Sequence, residues 1–218
     1  LPKDLLRSGL QPILMTLADR HRLTSAGLDG LAHLLQLLTN YFKVEIGIKL
    51  LDHLSALAEP AMLRRAAAGP LDTHEKLRIL TAIVRVFHLL PDTAYQFLPR
   101  LLVYVAEIES HLRRSGPTPL TDMLTLFLDH FSEHAVRYYF ESDGHVRFTD
   151  VLQNPRLFRL LRLALQSPRG ASLRRELSRR AETLFLPLLS DASNTQSVYA
   201  ALQLIEALVQ HEPAWLAH

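Results

Sequence analysis

The sequence contains no cysteine, and this absence excludes several kinds of site at once. Without thiols the chain has no disulfide framework, no thiolate nucleophile and no zinc site built on Cys ligands. No apolar run approaches the roughly 20 residues that a membrane-spanning helix needs. The 8 glycines form neither a phosphate-binding loop nor a G-x-S-x-G element, so we expect no cofactor and no enzyme activity.

The composition of the 218 residues favours helices. Hydrophobic residues make up 48% of the chain, too many for a disordered segment, and Leu greatly outnumbers Val and Ile. We find no sustained period-two alternation, so we expect essentially no sheet. The net charge is only +2, and most of the basic residues are Arg rather than Lys.

The stretch 23–51 shows how the helices are expected to pack. Leucines at steps of three and four form one apolar face, and they are Leu28, Leu31, Leu35 and Leu38. The polar residues of the same helix lie in one narrow stripe. Most of the helix surface must therefore be covered by neighbouring helices. A helix of this kind is typical of a stack of helix pairs.

Two segments resemble the paired helices of HEAT repeats. LQPILMTLAD at 10–19 is followed by a Leu-rich helix, and LFLPLLSD at 184–191 precedes another. We therefore predict an all-α solenoid of HEAT- or armadillo-like antiparallel helix pairs. Residues 1–218 are expected to form a single segment of it, excised from a much larger chain, and Pro12 is expected to bend the first helix.

Several boundaries follow from Pro, Gly and Ser. AAAGP makes 61–72 the expected linker, and RRSGPTP makes 113–119 a loop. Ser167-Pro168 is expected to open a helix that runs to about Leu186. A helix from Thr73 to Leu89 is expected to bury one face, which consists of Leu77, Leu80, Val84 and Phe87.

Positive charge is most concentrated between Arg156 and Arg180. This segment contains eight arginines and one acid, Glu176, so its net charge is +7 (eight minus one). One interpretation is a basic surface for an acidic protein segment or for phosphates. The other is a solvated helix face whose arginines pair with neighbouring acids. This segment contains few aromatic residues, which argues against direct nucleic-acid binding. The candidate partner-binding residues are Arg156, Arg159, Arg162, Arg174, Arg175, Arg179 and Arg180.

His130 to His134 matches H-x-x-E-H, an inverted zinc-protease motif. That motif needs both His side chains on one helix face, whereas Ser132 is expected to cap a new helix between them. A metal-dependent hydrolase using His130 and His134 is therefore the remote alternative, and a helix corner with solvent-facing His residues is the favoured interpretation.

The sequence resembles the TRRAP/Tra family, giant pseudokinases related to the phosphatidylinositol kinases. KDLLRSGLQPILMTLADRHRLTSAGLDGLAHLLQLLTNYFKVEIGIKLLDHL at 3–54 carries the resemblance, and 87–105, 119–141 and 154–177 continue it. It implies a HEAT-repeat segment of a nuclear scaffold in SAGA- and NuA-type histone acetyltransferase complexes. The implied partners are other subunits of such a complex and acidic transcription activators.

The resemblance supplies no catalytic residue, because no part of the family's kinase-like domain is visible. It supplies no activator-contact residue either, since no short motif defines one. A generic HEAT-type adaptor or transport solenoid stays open as an alternative from another class, because the repeat period alone does not separate it from the coactivator interpretation.

Overall fold

The computed structural model describes residue 19 and residues 22–37, 44–142, 145–146, 150–190 and 194–211. The predicted helix with Pro12 and the leucine at position 38 lie outside these residues. Within them the helices are α1 (Ser25–Leu37), α2 (Val44–Leu57), α3 (Pro60–Ala67), α4 (Glu75–Val86), α5 (Leu98–Leu112), α6 (Pro119–His130), α7 (Ser132–Phe140), α8 (Asp150–Gln153), α9 (Pro155–Gln166), α10 (Ala171–Arg179), α11 (Ala181–Ser190) and α12 (Thr195–His211).

The remaining regular elements are short. Within the described residues, 3₁₀ helices cover Leu71–Thr73, Phe87–Leu89 and Asp92–Phe97. Two strands of two residues, β1 (Glu141–Ser142) and β2 (His145–Val146), form an antiparallel ladder after α7. The described residues contain no helix with the length and apolar character to cross a bilayer.

Consecutive helices pack in two layers. One layer runs from α1 to α4 and then to α6, and the other from α2 to α5, α9 and α12. The layers are joined where α2 contacts α4 and where α6 contacts α9. This is the all-α solenoid that the leucine spacing predicted, because each helix buries its apolar face against the next ones along the stack.

The apolar stripes lie where their spacing placed them. Leu28, Leu31 and Leu35 of α1 are buried. The predicted inward residues of the fourth helix region, Leu77, Leu80, Val84 and Phe87, are buried as well. All of them join one hydrophobic core that extends along the described chain. The spacing of three and four therefore identified the core face correctly.

Close approach of two elements depends on Gly47 in α2. A Cβ at this position would lie 2.3 Å from the ring of Phe97, which is buried between α2 and α5. Gly30 in α1, by contrast, has nothing within 4 Å of its would-be Cβ. Gly47 is therefore required for this contact, whereas the packing of α1 does not require Gly30.

The predicted linker at 61–72 is wrong for its first half. Pro60 opens α3 at a first-turn position, and Met62, Leu63 and Ala66 are buried against the core. Ala66 and Ala67 extend the helix because Ala is the best helix former, and Ala68 caps its end just before Gly69-Pro70. The loop at 113–119 lies where it was expected, although Pro119 is already the first residue of α6.

Two further boundaries differ from the predictions. The helix expected from Pro168 to about Leu186 is two helices, α10 and α11, which meet at Arg180. Ser132 is not a cap: it is the first residue of α7, and Phe131 occupies the cap position.

Candidate interaction surface

The arginine-rich segment folds as α9 and α10, and the structure divides its arginines into two groups. Arg156 and Arg175 are exposed, and Arg179 is exposed while it pairs with Glu176 on its own helix at 2.8 Å. The other four predicted residues, Arg159, Arg162, Arg174 and Arg180, are buried or half-buried and bind neighbouring elements.

Arg159 ties α9 to the loop between α5 and α6. Its Nη2 donates to the carbonyl oxygens of Arg114 at 2.5 Å and Gly116 at 3.2 Å. Its Nη1 lies 3.6 Å from Oε2 of Glu109, which is almost completely buried on α5. Both interactions are internal, so this guanidinium is largely engaged in holding three elements together.

Arg162 and Arg180 also serve the packing of the stack. Arg162 donates to Oε1 of Gln203 in α12 at 3.4 Å, and this contact joins two neighbours of one layer. Arg180 forms an ion pair with Glu141, the first residue of the small ladder. Both partners of that pair are mostly shielded from water, which strengthens it relative to a surface pair.

Arg174 corrects the prediction of a solvent-facing basic ridge. Its side chain is buried, and its Nη1 donates to the carbonyl oxygens of Leu165 at 2.9 Å and Ser167 at 2.6 Å. These carbonyls lie at the end of α9, where helical partners run out. The guanidinium therefore caps α9 and also faces the negative end of its dipole.

The polar cluster beneath Arg159 was not predicted from the sequence. Oγ1 of Thr118 donates to Oε1 of Glu109 at 2.5 Å and accepts from the backbone N–H of Thr121 at 3.2 Å. Burial raises the pKa of Glu109, and the hydrogen bond from Thr118 and the charge of Arg159 partly oppose that effect. Thr followed by Pro is a common pattern at a helix start and could have identified the cap at Thr118, but nothing local indicates its buried acid partner.

A second polar tie fixes the start of α10. Oδ1 of Asp129, on α6, accepts from the backbone N–H groups of Ser172 at 2.6 Å and Leu173 at 2.9 Å. A carboxylate from a distant helix thus takes the role that a local side chain usually plays at a helix start. Sequence spacing gives no signal for such a cap, because the residues are more than forty positions apart.

A shallow groove lies beside Arg156, at the start of α9. It has a volume of about 350 Å³ and is lined by Val103, Glu107, Ser110, His111, Asn154, Arg156 and Leu157. Val103 is half exposed, and the Asn154 side chain caps α9 through the N–H groups of residues 156 and 157. The groove combines an apolar floor with charges of both signs, which suits a protein segment better than a small substrate.

The histidines of the H-x-x-E-H match lie on different helices. His130 is the last residue of α6, with its ring against the edge of Phe131, and His134 lies in α7, stacked on Tyr95 at 4.0 Å between ring centroids. The single continuous helix face that the protease motif requires is therefore not formed. Among the described residues no three His, Cys, Asp or Glu side chains cluster in a metal-binding arrangement.

The fold and these contacts can be set beside known proteins. A family model described as the Tra1 HEAT repeat ring region matches residues 1–218. The chain belongs to the Tra1 HEAT repeat ring family. Its two-layer stack is thus a stretch of HEAT-repeat solenoid, as the leucine spacing and the resemblance predicted.

Curated relatives agree with this family. The chain is 43% identical over 159 residues to the SAGA complex/NuA4 acetyltransferase complex subunit Tra1 of Schizosaccharomyces pombe. The aligned region covers 71% of the chain and 4% of the relative. The chain is 42% identical over 139 residues to the Saccharomyces cerevisiae subunit of the same name, covering 64% of the chain and 4% of that protein. With the mouse transformation/transcription domain-associated protein it shares 24% identity over 228 residues, 98% of the chain and 9% of that protein. The chain thus spans a small part of the relatives that it matches.

Proposed function

We propose that this segment is a non-catalytic scaffold within the Tra1-type subunit of a nuclear SAGA- or NuA4-like coactivator complex. Its family membership and the names of its fungal relatives support the complex. The continuous core supports a mechanical role, because each helix pair is held by the next and the whole stack keeps its shape.

The observation that carries the scaffold role is the set of polar ties between helices far apart in sequence. Asp129 to α10, Arg162 to α12 and Arg159 to the 113–118 loop each join one helix pair to another. A stack with such ties resists bending, so surfaces on successive helices keep a fixed spacing for other subunits.

The exposed arginines supply the surface for acidic partners. The side chains of Arg156, Arg175 and Arg179 are exposed, and within the described part of the chain they form no hydrogen bond or ion pair with another helix. Arg156 and Arg175 can bind carboxylates without first breaking internal bonds, and Arg179 gives up only its exposed pair with Glu176 on its own helix. Acidic segments of transcription activators are the partners that fit this charge, and the four tied arginines of the predicted set are not needed for binding.

Titration calorimetry with a synthetic acidic activation segment tests this proposal. The triple variant Arg156→Glu, Arg175→Glu and Arg179→Glu is compared with a control of equal charge change, Arg64→Glu, Arg65→Glu and Arg137→Glu, whose residues are also exposed. At low salt we expect the first variant to bind about 10-fold more weakly, since exposed charge pairs contribute modest energies each, and the control to bind like the parent chain. Equal weakening of both variants would reduce the effect to net charge and remove the proposed surface.

A further inference from the structure

The connection between α5 and α6 presents one serine to solvent. Ser115 is exposed in the stretch 113–118, which has no regular structure, and Gly116 and Pro117 follow it. Its hydroxyl has no hydrogen-bond partner within the described residues. Exposed irregular loops are the segments that modifying enzymes reach most readily, because such enzymes bind their substrates extended.

Three arginines adjoin this serine, two in the sequence and one through its bonds to the loop. Arg159 donates to the carbonyl oxygens on both sides of it, those of residues 114 and 116. The side chain of Arg114 folds back on α3 and donates to Ala67 at 3.0 Å and Gly69 at 2.9 Å. Arg113 ends α5 in the left-handed region with φ of 52° and is exposed. The nearest acid along the sequence, Glu109, is buried and pairs with Arg159.

We propose that Ser115 is a phosphorylation site for an arginine-directed protein kinase, that Arg113 binds the phosphate, and that Arg114 and Arg159 add positive charge to the loop. In the reaction the Ser115 hydroxyl oxygen bonds to the γ-phosphorus of ATP, the bond from that phosphorus to ADP breaks, and the hydroxyl proton is released. Hydrolysis by a phosphatase returns serine and inorganic phosphate. Phosphate at this site affects the order of the 113–118 loop. This effect does not depend on which partner the arginines of α9 and α10 bind.

The structure selects Ser115 over a serine with equally basic neighbours. Ser178 follows Arg174 and Arg175 by four and three residues, a spacing that arginine-directed kinases favour. Its hydroxyl oxygen, however, is buried inside α10. Thr118 precedes a proline but is buried, and its hydroxyl is committed to Glu109. Of these three hydroxyl groups, only that of Ser115 is both flanked by arginines and open to an enzyme.

The added phosphate is expected to order the loop. A phosphoserine carries a charge of about −1.5 to −2 at neutral pH and three strong acceptor oxygens. Arg113 has no ion pair in the described chain, so it is available for a new charge-assisted bond. The backbone amides of 113–118 should therefore open less often and exchange with solvent more slowly.

The first experiment maps phosphate on the folded 218-residue chain. The chain is incubated with ATP, Mg²⁺ and each of several arginine-directed kinases, among them the catalytic subunit of cyclic-AMP-dependent kinase, and the sites are found by mass spectrometry. In the folded chain we expect phosphate on Ser115 and at least 10-fold less phosphate on Ser178. No phosphate on Ser115 from any of these kinases, or equal labelling of Ser178, overturns the proposal.

The second experiment places phosphoserine at position 115 during translation, which avoids any dependence on kinase recognition. Hydrogen exchange of 113–118 is compared with a chain carrying phosphoserine at position 190, where no arginine lies within five residues. We expect exchange about 5-fold slower, with most of the effect lost in Arg113→Gln, which leaves the Glu109–Arg159 pair in place. Unchanged exchange in the phosphorylated parent, or full protection in Arg113→Gln, contradicts the assigned phosphate contacts.

Discussion

Nη1 of Arg174 lies 2.9 Å from the carbonyl oxygen of Leu165, so a residue of α10 closes the last turn of α9. The same nitrogen donates to Ser167, the residue that follows α9. A buried cation in this position replaces the water that would otherwise bind the free carbonyls. Part of the arginine-rich segment is therefore required for the fold itself, whatever its exposed members bind.

Replacing Arg174 should show this structural role. We expect Arg174→Ala to lower the free energy of unfolding by about 2–4 kcal/mol, because two charge-assisted hydrogen bonds are lost and buried carbonyls are left unpaired. Arg175→Ala removes an exposed neighbour on the same helix and should change it by less than about 0.5 kcal/mol. Urea unfolding followed by circular dichroism measures both. Similar losses in the two variants would mean that the capping bonds contribute little.

Gly30 of α1 and Gly47 of α2 form a matched pair for a test of packing. Gly30→Ala has free space and should raise the free energy of unfolding by about 0.5–1 kcal/mol, because Ala restricts the unfolded chain and favours helix. Gly47→Ala makes the same exchange in α2 but forces the Phe97 ring to move, and should lower it by about 1–3 kcal/mol. Thermal unfolding of both variants tests the difference in sign, and stabilisation by both would show that the Phe97 ring relaxes without cost.

The tie between α6 and α10 depends on an oxygen atom at one position. Asp129→Ala leaves two backbone N–H groups of α10 without an acceptor and should cost about 1–2 kcal/mol of stability. Asp129→Asn keeps an acceptor oxygen and should recover at least half of that loss. Urea denaturation of the two variants is the measurement. Equal destabilisation by Asn and Ala would assign the effect to the charge rather than to the cap.

Local periodicity was sufficient to predict the helices and their buried faces. Leu77 and Leu80 of α4 could be assigned inward because residues at steps of three and four share one side of a helix. The class of fold followed from the same rule, since the polar stripe of α1 is too narrow for a helix with a free surface.

The sequence could not predict which arginines are free. Arg174 and Arg175 are adjacent and chemically identical, yet the first is buried and the second exposed. The difference arises from where the end of α9 lies relative to α10, and that is a property of the tertiary structure. At 61–72 the error was local instead: Gly69-Pro70 was given more weight than the helix-forming residues before it.

The buried carboxyl group of Glu109 makes stability depend on pH in an unusual direction. Burial raises the pKa of Glu109 above the ordinary value of 4.5, so the folded chain holds this proton in a pH range where the unfolded chain has released it. The folded state binds more protons across that range, and stability therefore falls as the pH rises through it. Well below pH 4.5 the Glu109 carboxyl group is protonated in both the folded and the unfolded chain, and its contribution to stability no longer changes with pH.

Glu109→Gln should separate this effect from the other titrations of the chain. Glutamine keeps an oxygen that can accept from Thr118 but never ionises, so it avoids the cost of a buried negative charge while giving up the pairing with Arg159. We expect the stability of the variant relative to the parent to increase as the pH rises above about 4.5 and to level off once the folded parent has also released this proton, as measured by urea unfolding at fixed ionic strength. Glu107→Gln, which removes an exposed acid of the same helix, is the control for the loss of one negative charge. If the Glu109→Gln difference instead shrinks with rising pH, attraction to Arg159 outweighs burial, and the pKa of Glu109 is lowered rather than raised.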